Sequence, residues 1–424
     1  MYAFLKKQPI FIFFISIFII WMVFYYINLD VVPFHPDEST QIFMSDDVDL
    51  FFSEPSSLFY SKKAANDQKQ SYRFLDSPLT RYTIGIWRHL TNQPTLQKDW
   101  NWSANWKDNQ SAIPNPSLLF FARFGVSLVY PFSVLLLFLI TRKLFSVEAA
   151  VIAGLLFMFN SVILLHTRRA MAESLMLFFM LLSIWMIFSV KPHLYYLSAI
   201  PIAFAINTKQ SLLFLIPASI LIYLIKTKFT WSLLKQIVLF LILIFLITGF
   251  LNPVLWNRPI EAARIMIDKR AALLESQLET IHFVSPEFIL DTPFERLVGF
   301  IAQTYITPPA YQDVANYEDY LEPSIQRYNR NFFHQGVFRS IIPGIIFFVL
   351  SIIGFIIVLS DKQIDKISFL ILFLLALGEI LYAFPIPFQR YYLPLYPFIF
   401  VLIAVFFTKL FIGLKQMTIH SLIK

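Results

Sequence analysis

The chain contains no cysteine, which removes disulfides, thiolate metal sites and a cysteine nucleophile from consideration. Glycine is scarce, 10 residues in 424. No glycine-rich turn that could cradle a phosphate is present, nor any zinc-ligand spacing or nucleophile elbow. Charge is thin as well. Asp, Glu, Lys and Arg make up 14%, against about a quarter in an ordinary soluble domain. What fills the space is apolar: 57% of the chain is hydrophobic, and 48 residues are Phe. That is more apolar surface than one water-soluble core can bury. It falls in blocks of roughly 18 to 22 residues, the helix length that crosses about 30 Å of hydrocarbon. Abundant Phe with scarce Gly describes lipid-facing bulk with few small-residue helix contacts. The formal net charge is +7. The basic residues cluster at the ends of apolar runs, as the cytoplasmic bias of Lys and Arg in membrane proteins requires, so no nucleic-acid partner is expected. No internal repeat or low-complexity linker is evident.

The pattern predicts an all-α polytopic membrane protein with about ten transmembrane helices in a single domain, 1–424. Lys6 and Lys7 precede an apolar run too long for a cleaved leader, so a first, uncleaved span is expected at Pro9–Ile27. Further spans are expected at Ser117–Ile140, Val147–Leu165, Leu175–Val190, Leu194–Ile206, Ser211–Ile225, Leu233–Phe250, Ile341–Leu359, Ile367–Phe384 and Tyr391–Leu410. The pair between 194 and 225 is short and would also suit a re-entrant hairpin. With both termini cytoplasmic, Lys6/Lys7, Arg142/Lys143, Lys191, Lys226/Lys228/Lys235, Lys362/Lys366 and Lys409/Lys415/Lys424 all fall inside. Two large segments, 28–116 and 251–339, then face outward. Within them Pro36–Phe52 and Leu79–Leu90 read as helices lying in the interface plane, and Pro259–Thr280 as a solvated or interfacial helix.

The outer side carries what chemistry the sequence offers. Phe34-His35-Pro36-Asp37-Glu38 places two adjacent carboxylates where the chain leaves the first span. Asp37 as a helix cap with Glu38 in the first turn accounts for the pair structurally. A general base acting on a lipid-delivered substrate accounts for it chemically. His166-Thr167-Arg168-Arg169-Ala170-Met171-Ala172-Glu173-Ser174 sets two Arg on an outward turn, where they need a phosphate or an acidic partner. Glu173, four residues after Arg169, could be that partner. Lys209 in Asn207-Thr208-Lys209-Gln210 suits either snorkelling to headgroups or a carrier phosphate. Arg390, in Phe388-Gln389-Arg390-Tyr391-Tyr392, opens the last span within an aromatic belt. Trp100, Trp102 and Trp106 fit an interfacial belt better than a sugar-stacking platform. Asp46, Asp47 and Asp49 read as a solvated acidic face. His35, His166, His282 and His334 read as structural rather than as metal ligands.

These motifs together resemble the GT-C glycosyltransferases, specifically the branch of dolichyl-phosphate-mannose–protein mannosyltransferases and aminoarabinose transferases. HPDESTQIF after the first span looks like that family's acidic motif, and DSPLTRYTIGIW (Asp76–Trp87) like its first-loop interfacial helix. HTRRAMAESLMLFFMLL, AINTKQSLLFL and RYYLPLYPF follow in the family's order, whereas 259–335 matches none of its patterns. The resemblance implies a polyprenyl-phosphate-linked sugar as donor and a hydroxyl of a protein, lipid or glycan as acceptor. It implies an inverting single displacement on the outer face, in the plasma membrane if the source is prokaryotic. Asp37 would be the base, and Glu38 would position the site or a divalent cation. Arg169, Lys209 and Arg390 would face the donor phosphate. His35, His166, Arg168, Glu173, Tyr82 and Tyr391 would support or touch substrate. Competing expectations are a transporter or flippase of a lipid-linked or anionic solute, an O-antigen ligase or polymerase type of enzyme, and a non-catalytic scaffold. A transporter would place polar groups at mid-span, and Glu379 is the one such group noted. A scaffold leaves the outward Arg and Lys without a use.

Overall fold

A computed structural model describes residues 9–64, 66–227, 230–312, 317–336 and 338–423. It is built of helices, with no strand among the described residues. In chain order they are α1 (Pro9–Tyr26), α2 (Pro36–Phe43), α3 (Asp47–Ser53), α4 (Gln68–Leu75), α5 (Leu79–Leu90), α6 (Pro116–Ser127), α7 (Tyr130–Leu144), α8 (Val147–Phe159), α9 (Ser161–His166) and α10 (Glu173–Ser189). They continue as α11 (Ala199–Ile206), α12 (Leu215–Lys226), α13 (Trp231–Leu251), α14 (Pro259–Val284), α15 (Pro293–Ile301), α16 (Glu318–Tyr328), α17 (Ile341–Ser360), α18 (Ile364–Ala383) and α19 (Tyr396–Ile423).

Five stretches are long and apolar enough to cross a membrane: Pro9–Tyr26, Pro116–Leu144, Trp231–Leu251, Ile341–Ser360 and Gln389–Leu414. Four shorter apolar helices accompany them: Val147–Phe159, Glu173–Ser189, Pro192–Ile206 and Gln210–Lys226. The ends of α13 and α17 fall within two residues of the sequence expectation. Five spans are more broken than expected: those from Leu194 and Ser211 open as 3₁₀ turns, Pro192–Ser198 and Gln210–Leu212, and the other three break for local reasons. The run from Ser117 divides at Leu128–Val129, where Pro131 restarts the helix as α7, since proline is favoured in a first turn. The run from Val147 divides at Asn160, whose side chain accepts from the amides of Val162 and Ile163 and so caps α9. The last run opens as a 3₁₀ turn, Gln389–Leu395, containing Pro394.

One apolar core joins α1, α7, α8, α10, α11, α12, α18 and α19. Buried polar groups inside it are satisfied locally: Trp21 Nε1 donates to Met158 O at 3.0 Å and Tyr130 OH to Phe157 O at 2.7 Å. At one end basic side chains gather. Arg142 lies over Phe11, Lys143 donates to Ser189, and Lys226 pairs with Asp365 at 2.6 Å. Lys6, Lys7, Lys228 and Lys424 lie outside the described residues, as does the side chain of Lys415. At the other end α2 to α6 and the segments 302–312 and 317–336 form a cap over the bundle. A second core, with Ile42, Phe43, Ile84, Leu118 and Ala122, ties that cap together. Within it Asp46, Asp47 and Asp49 are not the solvated face expected. Asp47 is buried and takes Arg73 (2.7 Å) and Arg81 (2.9 Å), while Asp46 pairs with Lys69 and Asp49 with Arg88. The acids fold this segment between α1 and α6 onto itself. Trp100 is likewise interior, at 2% exposure, packed with Phe34 and Tyr317.

Helix α17 comes close against α19 at Gly354. A Cβ there would fall 2.0 Å from the carbonyl oxygen of Leu402, which is backbone and cannot turn aside. Overpacking of this kind costs about 1–3 kcal/mol. Gly354→Ala is expected to lower the thermal unfolding temperature in detergent by several degrees. Gly378→Ala, where a Cβ meets nothing within 4 Å, is expected to leave it unchanged or raise it.

Candidate active site

The acidic motif is built by a capping box. His35, not Asp37, is the cap of α2: its Nδ1 accepts from the Asp37 amide at 3.1 Å, and Glu38 accepts from the His35 amide at 3.0 Å. Pro36 presets the first turn. Asp37 and Glu38 therefore sit in consecutive positions of one turn and point apart. Glu38 is fully buried. Its two oxygens take both arms of Arg123 at 2.7 Å each, and one of them also accepts from the Ala170 amide at 2.8 Å. The remaining Arg123 nitrogen donates to Leu29 O and Val32 O, both at 2.9 Å. Burial alone would push the Glu38 carboxyl up. The charge and hydrogen bonds of Arg123, with the charge of Arg169 and the Ala170 amide, outweigh it and hold the group below the ordinary carboxyl value.

Asp37 faces the other way and keeps about a third of its surface, 32%. It pairs with Arg390 at 2.5 Å. Beside it, Lys209 pairs with Glu173 at 2.8 Å. Tyr391 lies between the two cations, its ring 5.3 Å from Lys209 Nζ and 5.7 Å from the Arg390 guanidinium. Arg390 and Lys209 retain 13% and 18% exposure. The structure thus brings Asp37, Glu173, Lys209, Arg390 and Tyr391 into one partly open cluster. The Asn207–Gln210 turn is stitched to the first loop: Leu79 N donates to Asn207 O (3.1 Å) and Ser77 Oγ to Ile206 O (3.2 Å).

The other Arg residues are placed differently. Arg169 is fully buried and donates to Pro33 O and Tyr311 O. Arg168 is fully buried too, bonded to Leu164 O, the Tyr328 hydroxyl and His334 Nε2. Burial, with the charge of Arg168, pushes His334 down to about 3, so it stays neutral. His166 is buried. Tyr82 donates to Leu251 O at 3.1 Å and joins the two outer segments. The pairing of Arg169 with Glu173 suggested by their spacing is replaced by Glu173–Lys209 across 36 residues. The oxygens of Glu38 are taken up within the protein. Among the described residues no group of three or more His, Asp or Glu is placed to hold a metal ion. Asp37, Glu38 and Glu173 are each paired with a cation of the chain itself.

Three residues the sequence reasoning passed over belong here. Arg123 is hidden inside an apolar run, and an Arg in such a run needs a buried partner; that rule would have found it. Asp76 and Asp99 lie in the first outer loop with no Lys or Arg within ion-pair distance among the described residues. Asp99 accepts from Thr40 (2.9 Å), Gln68 (3.1 Å) and Tyr72; burial, with the charge of Asp37, raises it regardless. Asp76 is pushed up to about 6, by burial first and then by the charges of Asp37 and Asp99, against Arg81 and Arg270.

Residues 117–256 match the family model described as dolichyl-phosphate-mannose-protein mannosyltransferase. Among solved structures the chain is similar to the archaeal oligosaccharyltransferase AglB of Archaeoglobus fulgidus, in complex with an inhibitory peptide and a dolichol-phosphate. That likeness has a TM-score of 0.52 at 12% identity and covers 99% of this chain and 52% of that one. It is also similar to ArnT of Cupriavidus metallidurans bound to undecaprenyl phosphate, with a TM-score of 0.50 at 11% identity, covering 94% of this chain and 60% of that one. The chain has the GT-C-type fold. It spans between half and three-fifths of the length of these two structures. No curated protein matches the GT-C-type chain in sequence.

Two predictions follow from the charges. Removing one partner of a buried pair strands the other and costs about 3–5 kcal/mol, so Arg123→Ala is expected to unfold the cap or abolish accumulation of folded protein. Fluorescence-detected size exclusion measures this, and a monodisperse peak of normal thermal stability would contradict it. Asp76 has the opposite sign. Its folded value, about 6 against 3.8 unfolded, means stability falls as pH rises from about 4 to about 6 and the full penalty persists above that. Asp76→Asn is expected to raise the unfolding temperature at neutral pH and to give no gain near pH 4.

Proposed function

We propose that this chain is a glycosyltransferase that takes a sugar from a polyprenyl-phosphate-linked donor on the outer face of the membrane. The observation that carries this is the pairing of Arg390 and Lys209 across Tyr391, each held by a carboxylate and each still reachable. A phosphate brings more negative charge than either carboxylate and accepts from both cations at once. On its arrival Arg390 turns from Asp37 to the phosphate. Asp37 loses its cation, its affinity for a proton rises, and it becomes the base. The proton of an acceptor hydroxyl then passes to Asp37. The acceptor oxygen forms its bond to the anomeric carbon from the face opposite the phosphate. The bond from that carbon to the phosphate oxygen breaks, and its electron pair leaves on the polyprenyl phosphate, stabilised by Arg390 and Lys209. The configuration inverts. Glu38 touches no substrate in this scheme; locked to Arg123, it fixes the turn from which Asp37 projects. Lipid-bound relatives of the same fold, with dolichol-phosphate and undecaprenyl phosphate, support a lipid-phosphate donor.

Charge-assisted hydrogen bonds contribute about 1.5–3 kcal/mol each. Arg390→Ala and Lys209→Ala are therefore each expected to weaken undecaprenyl phosphate binding by about ten- to a hundredfold. Asp37→Asn is expected to retain that binding, insert normally, and give cells whose glycans and glycolipids match those lacking the protein. Unchanged glycans in the Asp37→Asn cells would remove the base from the scheme. Unchanged binding in both cation variants would remove the phosphate site.

A further inference from the structure

Helix α14 follows directly on the apolar α13 and carries two separate apolar faces. Its inner face, Ala262, Ile265 and Met266, packs on Tyr60, Phe74 and Val254, and Lys269 donates to Ser71 Oγ at 3.1 Å. About a third of a turn away runs a second row: Ile260, Ile267, Leu274, Leu278 and Ile281, at spacings of seven, four and three that place them along one stripe of the helix. Ile260 and Ile267 are 74% and 70% exposed, and Leu274, Leu278 and Ile281 are half-buried. Arg264 and Arg270 flank the row, and Asp268, Glu275 and Glu279 occupy the remaining third. Long apolar faces with basic flanks and an acidic far side belong at a lipid–water boundary.

What covers the row is indicated by what it continues. At its start lies Trp256, half-exposed, with its ring against Phe51 and Phe250 at 5.9 and 6.3 Å. Phe245, Leu246 and Phe250 carry the exposed apolar surface down α13, a helix apolar enough to span. At its far end Phe283, Phe288 and then Phe294 of α15 are exposed. Arg296 ties α15 to the outer end of α18 through Leu381 O at 3.1 Å. The row is thus one stretch of a continuous apolar rim that joins two lipid-facing edges of the bundle. We propose that α14 lies along the outer surface of the bilayer. Its second apolar row sits at the boundary of headgroups and acyl chains, and Arg264 and Arg270 reach lipid phosphates. This placement stands on the rim alone and holds whether or not the chain transfers sugar. It sets headgroups beside the seam between α14 and α4, where the charge of Arg270 already bears on Asp76.

The absence of native cysteine makes the test direct. Single variants Ile260→Cys and Ile267→Cys on the row, Asp268→Cys and Glu279→Cys on the far side, and Phe245→Cys on α13 as the lipid reference are spin-labelled. Each full-length protein is reconstituted into vesicles of phosphatidylethanolamine and phosphatidylglycerol. Collision with oxygen, which concentrates in acyl chains, is compared with collision with a water-soluble nickel chelate. Labels on the row are expected to favour oxygen several-fold, close to Phe245→Cys, and labels on the far side to favour nickel. Equal nickel access on both sides would place α14 in water and overturn the proposal. Row labels shielded from both reagents and broadened by labels of another copy would assign the row to self-association and overturn it as well.

Discussion

Everything at the outer end of this molecule hangs on one guanidinium. Arg123 reaches from α6 into a space sealed from solvent and satisfies Glu38 with two parallel bonds, while its third nitrogen holds Leu29 and Val32, the backbone leaving α1. Glu38 in turn accepts from Ala170 in the α9–α10 connection. Three segments far apart in sequence converge on one charge pair. A buried pair of this kind is weak evidence of net stability, because desolvating two charges offsets most of their attraction. Its effect is on specificity of arrangement. Glu38 accepts four hydrogen bonds and Arg123 donates four, which ties the turn Pro36–Glu38 to this register and leaves Asp37 projecting the opposite way.

Two populations of cations follow from that arrangement. Arg123, Arg168 and Arg169 are buried completely and spend their donors on backbone carbonyls, Glu38, Tyr328 and His334. They are the frame of the cap. Arg390 pairs with Asp37 and Lys209 with Glu173, with an aromatic ring between the two cations and partial access from outside. In the proposed reaction the phosphate exchanges with a carboxylate, and the cations that keep some exposure, Arg390 and Lys209, are the ones it can reach. Asp76 and Asp99 complete the contrast. They lie near Asp37 with no Lys or Arg within ion-pair distance among the described residues, and burial together with the charge of Asp37 raises their affinity for protons.

Much of the fold was legible because apolar runs of membrane length report helices directly. The ends of α13 and α17 fall within two residues of where hydropathy puts them. The candidate cluster was legible in its parts but not in its pairings. Asp37, Lys209, Glu173 and Arg390 each stood out as charges at the edge of apolar runs. Local spacing pointed Arg169 at Glu173, one helical turn away, whereas Arg390 reaches Asp37 across 353 residues and Lys209 reaches Glu173 across 36. Arg123 escaped notice for the opposite reason: a single charge is lost in the hydropathy of its neighbours, and its partner is 85 residues back. The three acids from Asp46 to Asp49 looked solvated because nothing in their own neighbourhood shows the Arg and Lys residues of α4 and α5 folding back over them.

The choice of Arg390 as partner for Asp37 has a chemical consequence in the proposed reaction. A carboxylate gripped by a guanidinium is a poor base, because taking a proton would forfeit the ion pair. A free carboxylate next to Asp76 and Asp99 is a better base than usual, because like charges nearby favour its neutral form. The same side chain passes from one condition to the other when Arg390 moves to a phosphate. Proton abstraction is thereby coupled to the presence of the leaving group, so the acceptor is activated only when there is a bond for it to attack. Neither a solvated Asp37 nor one paired to the buried Arg123 would have this property. The first would be weakly basic at all times, and the second could never be released. The division of labour between adjacent residues, Glu38 locked and Asp37 exchangeable, is what a single capping turn makes possible.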